Sequence, residues 1–233
     1  MRVIPTPPLW RRLLAELLGT GLLVAVVVGS GIAAQRLSPD DTGLQLLENS
    51  LATAFGLGVL ILMLGPVSGA HLNPVVTVVD RVLGREGSWS TAGAYIAAQL
   101  LGAIGGAVLA NAMFGLPFAI ATTARVSAGQ LVGEVVATSI LVLLIFSLVR
   151  TGRGALIAPA VGAYIGAAYW FTSSTSFANP AVTIGRIFSD SFAGIAPGSA
   201  LPYVAAQLVG AAIGLGLLLL LFPSTSTTPK GTP

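Results

Sequence analysis

The chain has 233 residues, of which 55% are hydrophobic and only 8% are charged, and its mean hydropathy is +0.91. Soluble domains carry about a quarter charged residues, so this composition excludes a soluble enzyme and a disordered chain. The absence of cysteine and the single histidine argue against thiolate and most histidine metal sites, and the net charge of +3 comes from dispersed basic residues rather than from a nucleic-acid-binding patch.

Charged residues fall in short clusters between long apolar stretches. A membrane helix needs about 20 mostly apolar residues, and in lipid its backbone must satisfy all hydrogen bonds internally. The stretches therefore predict six membrane-spanning helices, near residues 12–34, 46–65, 91–113, 129–149, 155–171 and 201–222.

Two segments combine a polar loop rich in helix breakers with an apolar run that is too short to span a bilayer. They are residues 65–79, with Asn73-Pro74, and residues 172–184, with Asn179-Pro180. Asparagine followed by proline is typical of a helix N-cap and the first helical position. We therefore predict two re-entrant half-helices, each of which begins at an asparagine.

The distribution of Lys and Arg predicts how the chain lies in the membrane. With a cytoplasmic N-terminus, eight of the eleven basic residues fall on the cytoplasmic side and three fall outside. We therefore predict that both termini are cytoplasmic. The Ser/Thr/Pro-rich tail, residues 223–233, is predicted to be disordered.

The chain also contains an internal repeat. Residues 15–20 resemble residues 133–138, residues 73–77 resemble residues 179–183, and residues 97–100 resemble residues 205–208. Each repeat, about residues 10–115 and 127–222, holds three spans, so the second copy must enter the membrane from the opposite side. The half-helices are then expected to meet near the midplane at Asn73 and Asn179.

Two helix N-termini that face each other predict a pore for uncharged solutes. Each N-terminus carries about half a positive charge and unpaired N–H groups, so the pair repels cations. The asparagine amides can donate to a passing oxygen, and the loop carbonyls offer acceptors. The sequence has no phosphate loop, metal cluster or nucleophile–base pair, so we predict no catalytic residue, no cofactor and no enzymatic activity.

These motifs resemble those of the major intrinsic proteins, the family of aquaporins and glycerol facilitators. The resemblance covers about residues 12–222 and rests on residues 68–75 and 177–181 together with the paired glutamates and glutamines. It implies a single membrane domain over residues 1–222, with six tilted helices and two half-helices around a pore in each subunit of a homotetramer. Residues 175–183 look like the bacterial subgroup associated with arsenic resistance, which implies the inner membrane.

Two positions depart from the family pattern. The two boxes read Asn73-Pro74-Val75 and Asn179-Pro180-Ala181, where the family has Asn-Pro-Ala twice. We expect a small packing adjustment at the bulkier Val75. The family usually has an arginine directly after the second box, and this chain has Val182 there.

The resemblance also implies four residues that line an outer selectivity filter. Counted from the motifs, they are Thr53, Ala167, Ser176 and Val182. If the adjoining loops differ in length, Phe55 replaces Thr53, and Gly166 replaces Ala167. Helix positions two residues apart differ by about 200° in direction, so only one of Thr53 and Phe55 can line the pore.

Such a filter has no aromatic ring, no histidine and no arginine, which predicts a wider and less polar constriction than in water-selective members. We therefore predict passage of glycerol, undissociated arsenite, methylated arsenicals and water. The expected partners are a small neutral solute and membrane lipid, without nucleic acid. The alternatives are an orthodox water-selective aquaporin and, from a different class, a secondary transporter with inverted repeats.

Four ionisable residues have competing interpretations. By the resemblance, Glu16 and Glu134 support the re-entrant loops, although intramembrane acids can also relay protons. His71 either packs within its loop or gates the cytoplasmic vestibule by protonation. Arg186 is expected to snorkel to the interface or to pair with Asp190. Otherwise it biases the outer mouth or reaches into the filter.

Overall fold

The computed structural model describes residues 7–85 and 87–223, and within them it is entirely helical. The long helices are α1 (Leu9–Leu37), α2 (Thr42–Ser68), α4 (Trp89–Met113), α5 (Ala128–Arg150), α6 (Ile157–Phe171) and α8 (Pro197–Leu221), and the short ones are α3 (Pro74–Val82) and α7 (Pro180–Gly185). Among these described residues, six helices are long and apolar enough to cross a membrane, which confirms the predicted fold class. The predicted disordered tail lies outside the described residues from residue 224 onward.

Polar caps set where several helices begin. The Asp41 carboxylate accepts a hydrogen bond from the backbone N–H of Leu44 at 2.9 Å, so α2 begins at Thr42 rather than at residue 46. Ser88 and Ser127 cap α4 and α5 in the same way. The apolar runs alone therefore underestimate the lengths of these helices by a few residues.

The two repeats pack in the same pattern. In the first repeat α1 packs against α2 and α4, and in the second α5 packs against α6 and α8. The crossings are close because glycines face a backbone there: a Cβ at Gly106 would collide with the carbonyl oxygen of Gly21, and a Cβ at Gly214 would collide with that of Ser139. Both α4 and α8 contact both half-helices, and α3 and α7 contact each other.

Candidate functional site: the pore

The two half-helices meet through their cap residues. The Asn73 amide donates to the Ala178 carbonyl oxygen at 2.8 Å, and the Asn179 amide donates to the Leu72 carbonyl oxygen at 2.8 Å. Each asparagine therefore bonds the residue that precedes the other one. A side-chain amide has two N–H groups, and both asparagines line the central cavity. The second N–H of each is thus available to a solute.

The re-entrant loops adopt the same unusual backbone in both repeats. The φ angle is 47° at Ala70 and 49° at Leu72, and it is 49° at Ser176 and 47° at Ala178. Residues other than glycine rarely adopt this left-handed conformation. The surrounding contacts must therefore stabilise both loops.

A fully buried carboxylate supplies those contacts in each repeat. Glu16 accepts hydrogen bonds from the N–H groups of His71 and Leu72 at 3.0 and 2.8 Å, and Glu134 accepts them from Phe177 and Ala178 at 2.8 and 2.9 Å. Hydrogen bonds to a charged acceptor are stronger than neutral ones. Both glutamates thus hydrogen-bond the re-entrant loops, which is the arrangement expected of the loop-supporting role that the resemblance implies for them.

A glutamine and a threonine complete each of these networks. Gln99 donates to Glu16 at 2.7 Å and to Thr77 at 3.0 Å. In the second repeat Gln207 donates to Glu134 at 2.6 Å and to Thr183 at 2.9 Å. The glutamines thus connect α4 and α8 to the half-helices, as expected of residues that tie helices rather than contact solute.

A cavity of about 260 Å³ runs past the two asparagines. Following the predicted orientation, we call the end bordered by Tyr169 and Arg186 the outer end and the end bordered by Asp80 and Arg85 the inner end. Apolar side chains form much of the wall between them: Leu23, Val27, Leu57, Ile61, Leu141, Ile145, Val161 and Ile165. The loop backbone and the asparagine amides add a polar part, so the wall is amphipathic.

Three of the four residues predicted for the filter border this cavity. Thr53, Ser176 and Val182 line it. The alternate Phe55 is 70% exposed on the outside of α2. Thr53 and Phe55 face different directions, as helix geometry requires, and Thr53 is the one on the pore side.

The prediction of Ala167 needs correction. Ala167 is exposed, the alternate Gly166 approaches Ala54, and neither borders the cavity. Ile165 and Tyr169 line the pore instead. Counting back from the second box assumed a loop of the usual family length, and an error of two residues rotates the position by about 200° around the helix.

Tyr169 brings an aromatic ring to the outer end of the pore. Its hydroxyl lies 3.1 Å from the hydroxyl of Thr53, so the two side chains form a hydrogen-bonded pair across the α2–α6 contact. The expectation of a filter without a ring is therefore wrong. The signal in the sequence was the spacing of Val161, Ile165 and Tyr169, which places them on one helical face.

Arg186 also differs from its expected position. Its side chain is only 2% exposed, it borders the cavity, and its guanidinium carbon lies 3.5 Å from the centroid of the Phe177 ring. Its Nε donates to the Ala193 carbonyl oxygen. It neither snorkels nor pairs with Asp190, which instead accepts hydrogen bonds from Thr122. The chain turns into a 3-10 helix at Arg186–Phe188, so its side chain no longer follows the α-helical register.

Three ionisable side chains border the inner end. The Nδ1 atom of His71 lies 3.1 Å from the Thr77 hydroxyl, and its ring lies 5.5 Å from that of Tyr95. Asp80 and Arg85 form an ion pair at 3.0 Å. His71 is therefore packed within its loop and also borders the cavity, so both of its predicted roles remain compatible with its position.

Comparisons with known proteins agree with this architecture. A family model for the major intrinsic proteins matches residues 4–175. The chain is 47% identical over 231 residues to aquaglyceroporin AqpS of Rhizobium meliloti (strain 1021), covering 97% of this chain and 98% of that protein. The chain belongs to the major intrinsic protein family. The family predicted from the sequence motifs is thereby confirmed, and with it a membrane channel.

More distant members of the major intrinsic protein family match part of the chain or its fold. Aquaporin-2 of Rattus norvegicus is 46% identical over 99 residues, which are 42% of this chain and 34% of that protein. The X-ray structure of the aquaglyceroporin from Plasmodium falciparum superposes with a TM-score of 0.68 at 21% identity and covers 90% of this chain and 95% of that chain. The structural match supports the fold.

The valine that replaces the usual alanine in the first box of this major intrinsic protein is accommodated by apolar packing. Val75 is 1% exposed and belongs to an apolar cluster with Val142 and Phe146. Its backbone N–H still donates to the Asn73 side chain at 3.1 Å. The larger residue therefore leaves the cap of α3 in place, and Asn73 still reaches Ala178.

Proposed function

We propose that this chain is a passive channel for small uncharged solutes, with a pore that admits glycerol as well as water. The observation that carries the proposal is the cavity that passes two reciprocally bonded asparagines. Opposed helix N-termini disfavour cations, and the amides offer donors to a neutral oxygen. The relative AqpS is named an aquaglyceroporin, which agrees with this solute class.

The amphipathic wall supports a polyol over water alone. A polyol has a carbon edge and a hydroxyl edge. The Leu, Ile and Val side chains of the wall suit the carbon edge, whereas the amides and loop backbone suit the hydroxyls. Water gains nothing from the apolar part of this wall.

Undissociated arsenite and methylated arsenicals are the finer candidates. Arsenous acid is neutral at pH 7 and presents hydroxyls much as a polyol does. The filter carries Thr53, Ser176 and Val182, which are small and uncharged and support passage of a compact trihydroxylated solute. Arsenic transport is thus a proposal from solute chemistry and from the sequence resemblance.

An orthodox water channel is the second candidate. Tyr169 adds a ring to the outer end, which the filter predicted from the sequence lacks, and Arg186 adds a positive charge there, which is one of the alternatives that the sequence leaves open for this residue. A ring and a cation at this end favour a more selective pore. A secondary transporter is the third candidate, because inverted repeats with broken helices also occur in that class.

We also propose the assembly and orientation that the sequence predicts. Many large apolar side chains are exposed on the outside of the spans, such as Phe55, Leu62 and Leu101, and need lipid or neighbouring subunits to cover them. A homotetramer in the bacterial inner membrane with cytoplasmic termini satisfies this need. Mass measurement in mild detergent and protease protection of a terminal tag in inverted vesicles test the two points separately.

Stopped-flow light scattering on proteoliposomes tests the function. Gradients of sucrose, glycerol and arsenite are applied in parallel to vesicles with and without protein. We expect glycerol and arsenite flux that rises linearly with the gradient and ignores a proton gradient. Water flux alone would support the orthodox aquaporin, and saturation with a response to the proton gradient would support the carrier.

The variant Val182→Arg tests whether Val182 belongs to the selectivity filter. The added cation and bulk should reduce glycerol and arsenite flux far more than water flux. Val182→Met adds bulk without charge and serves as the matched control. Glycerol and arsenite fluxes that survive Val182→Arg untouched would contradict the assignment of Val182 to the filter.

A further inference from the structure

We propose that Arg186 supplies the fixed positive charge and the width limit at the outer end of this pore, one helical turn beyond the position at which the family usually has its arginine. The inference rests on the proposed channel function and assigns its selectivity to a residue outside the family filter. The usual position holds Val182, and four residues further along a helix correspond to a displacement of about 6 Å. Both Val182 and Arg186 border the same cavity.

Arg186 is buried without a carboxylate partner. Among the described residues, no carboxylate lies within salt-bridge distance of Arg186, whereas Asp80 and Arg85 form a salt bridge at the inner end. Arg186 instead donates to the Ala193 carbonyl and lies against the Phe177 ring. A buried cation that lacks a counterion is expensive, and in a membrane protein it marks a solute pathway. Its charge therefore acts on whatever occupies the outer end of the cavity.

A second arginine positions Arg186. Arg125, in the segment between α4 and α5, donates from Nε to the Gly194 carbonyl and from Nη2 to the Phe192 carbonyl, both at 2.7 Å. These carbonyls flank that of Ala193, which accepts the Arg186 bond. The two arginines thus donate hydrogen bonds to three consecutive carbonyl groups of one loop.

The Phe177 ring fixes the other side of this arrangement. It lies 3.5 Å from the guanidinium carbon of Arg186 and 5.8 Å from that of Arg125. Phe177 follows the filter residue Ser176, and its N–H is held by Glu134. A cation stacked on a rigid ring loses little conformational freedom and keeps one position in the pore. Arg186 is therefore preorganised as a fixed part of the constriction.

The first repeat shows why the charge is effective at one end only. The repeat offset that relates Asn73 to Asn179 also relates Asp80 to Arg186. Asp80 is neutralised by Arg85, whereas Arg186 keeps its charge. The pore is thus positive at the outer end and paired at the inner end, so cations arriving from outside meet the barrier first.

The cysteine-free chain permits a direct test of the charge. Arg186→Cys introduces a single thiol, which is modified after folding with methanethiosulfonate reagents of similar bulk that carry either a trimethylammonium or a sulfonate group. Potassium flux and glycerol flux are measured in proteoliposomes. We expect Arg186→Cys to raise potassium permeability about tenfold or more, since a nearby unit charge acts strongly in a low dielectric. The trimethylammonium reagent should reverse the rise, and the sulfonate reagent should not.

Arg36→Cys is the matched control. Arg36 also lies toward the predicted outer side, donates to the Phe114 carbonyl at 2.7 Å and stacks on the Phe114 ring, but it does not border the cavity. This variant and its modified forms should keep wild-type potassium exclusion. Equal effects of the two reagents on Arg186→Cys, or wild-type potassium exclusion without any reagent, would overturn the proposal.

Arg186→Lys covers the case in which the cysteine variant does not fold. Lysine keeps the charge but loses the planar fork and part of the reach. We expect it to exclude potassium while passing larger polyols such as erythritol faster than the wild type, and potassium leakage through it would overturn the proposal. If the wild type carries water but no glycerol, the proposed solute class fails, and the potassium measurements still decide the role of Arg186.

Discussion

The two re-entrant loops are nearly identical where they build the pore and different where they border its ends. Shared positions carry the same chemistry in both repeats: Asn73 and Asn179, Glu16 and Glu134, Gln99 and Gln207, and Thr77 and Thr183. Their hydrogen bonds match in partner and nearly in distance. This shared set fixes the half-helices, which is a requirement common to both sides of the membrane.

The differing positions lie on the cavity wall. His71 packs on Tyr95 where Phe177 packs on Tyr203, and Asp80 stands where the second repeat has Arg186. Each of these differences changes the charge or polarity of the cavity wall, and the second also accompanies a change of backbone, since α3 continues to Val82 whereas a 3-10 turn begins at Arg186. The comparison teaches that the residues shared by both repeats hold the half-helices, whereas the residues that differ make the two ends of the pore chemically different.

Replacement of Glu134 or Glu16, which belong to the shared set, should cause the largest loss of stability. Glu134→Ala leaves the N–H groups of Phe177 and Ala178 and the Gln207 amide without their acceptor in a buried loop. We expect a loss of about 3–5 kcal/mol in the free energy of unfolding, because several buried donors become unsatisfied at once. Thermal denaturation in detergent measures the loss, and Glu16→Ala should match it.

Asp190→Ala is the control for the glutamate variants. Asp190 also accepts two hydrogen bonds from a loop residue, Thr122, but it is exposed. Its removal should cost less than about 1 kcal/mol, because water replaces the lost partners. If Glu134→Ala were no more damaging than Asp190→Ala, the glutamate would not be what holds the loop.

The glycine crossings form the next test of the symmetry. Alanine at Gly106 or Gly214 places a methyl group against a carbonyl oxygen of the facing helix, whereas alanine at Gly105 or Gly216 meets nothing within 4 Å. We expect the first pair to lose about 1–3 kcal/mol of unfolding free energy. The second pair should gain up to about 1 kcal/mol from higher helix propensity. Thermal denaturation of the four variants measures these differences in stability. If the Gly106 and Gly214 variants were as stable as the other two, the helices would not cross closely at these glycines.

Much of the scaffold could be predicted from the sequence because its signals are local. Apolar length and the lipid constraint predicted six spans, and the Asn-Pro pairs predicted where α3 and α7 begin. The repeat predicted that Asn73 and Asn179 would meet, and they do so through reciprocal hydrogen bonds.

The outer end was harder to predict because it depends on register. Whether Ala167 or Tyr169 faces the pore depends on how long the loop before Asn179 is, and two residues of error turn one into the other. The position of the Arg186 side chain depends on where α7 ends and a 3-10 turn begins, and on the Ala193 carbonyl that accepts its hydrogen bond. Neither fact can be read from composition or spacing, although a lone arginine in a re-entrant segment is itself a signal of function.

Asp80→Asn should have the smallest effect on stability, and it tests the difference in charge between the two ends of the pore. It removes the ion pair with Arg85, whose side chain is 44% exposed. Exposed pairs contribute about 0–1 kcal/mol, so thermal stability should hardly change.

The inner end of the Asp80→Asn variant acquires the unpaired charge of Arg85 and comes to resemble the outer end. We expect potassium exclusion to become less dependent on the direction of the gradient, while glycerol flux changes by less than about twofold because a neutral solute has no net charge to interact with it. A marked fall in glycerol flux instead would mean that the Asp80–Arg85 pair shapes the inner opening, and that the two ends differ in width as well as in charge.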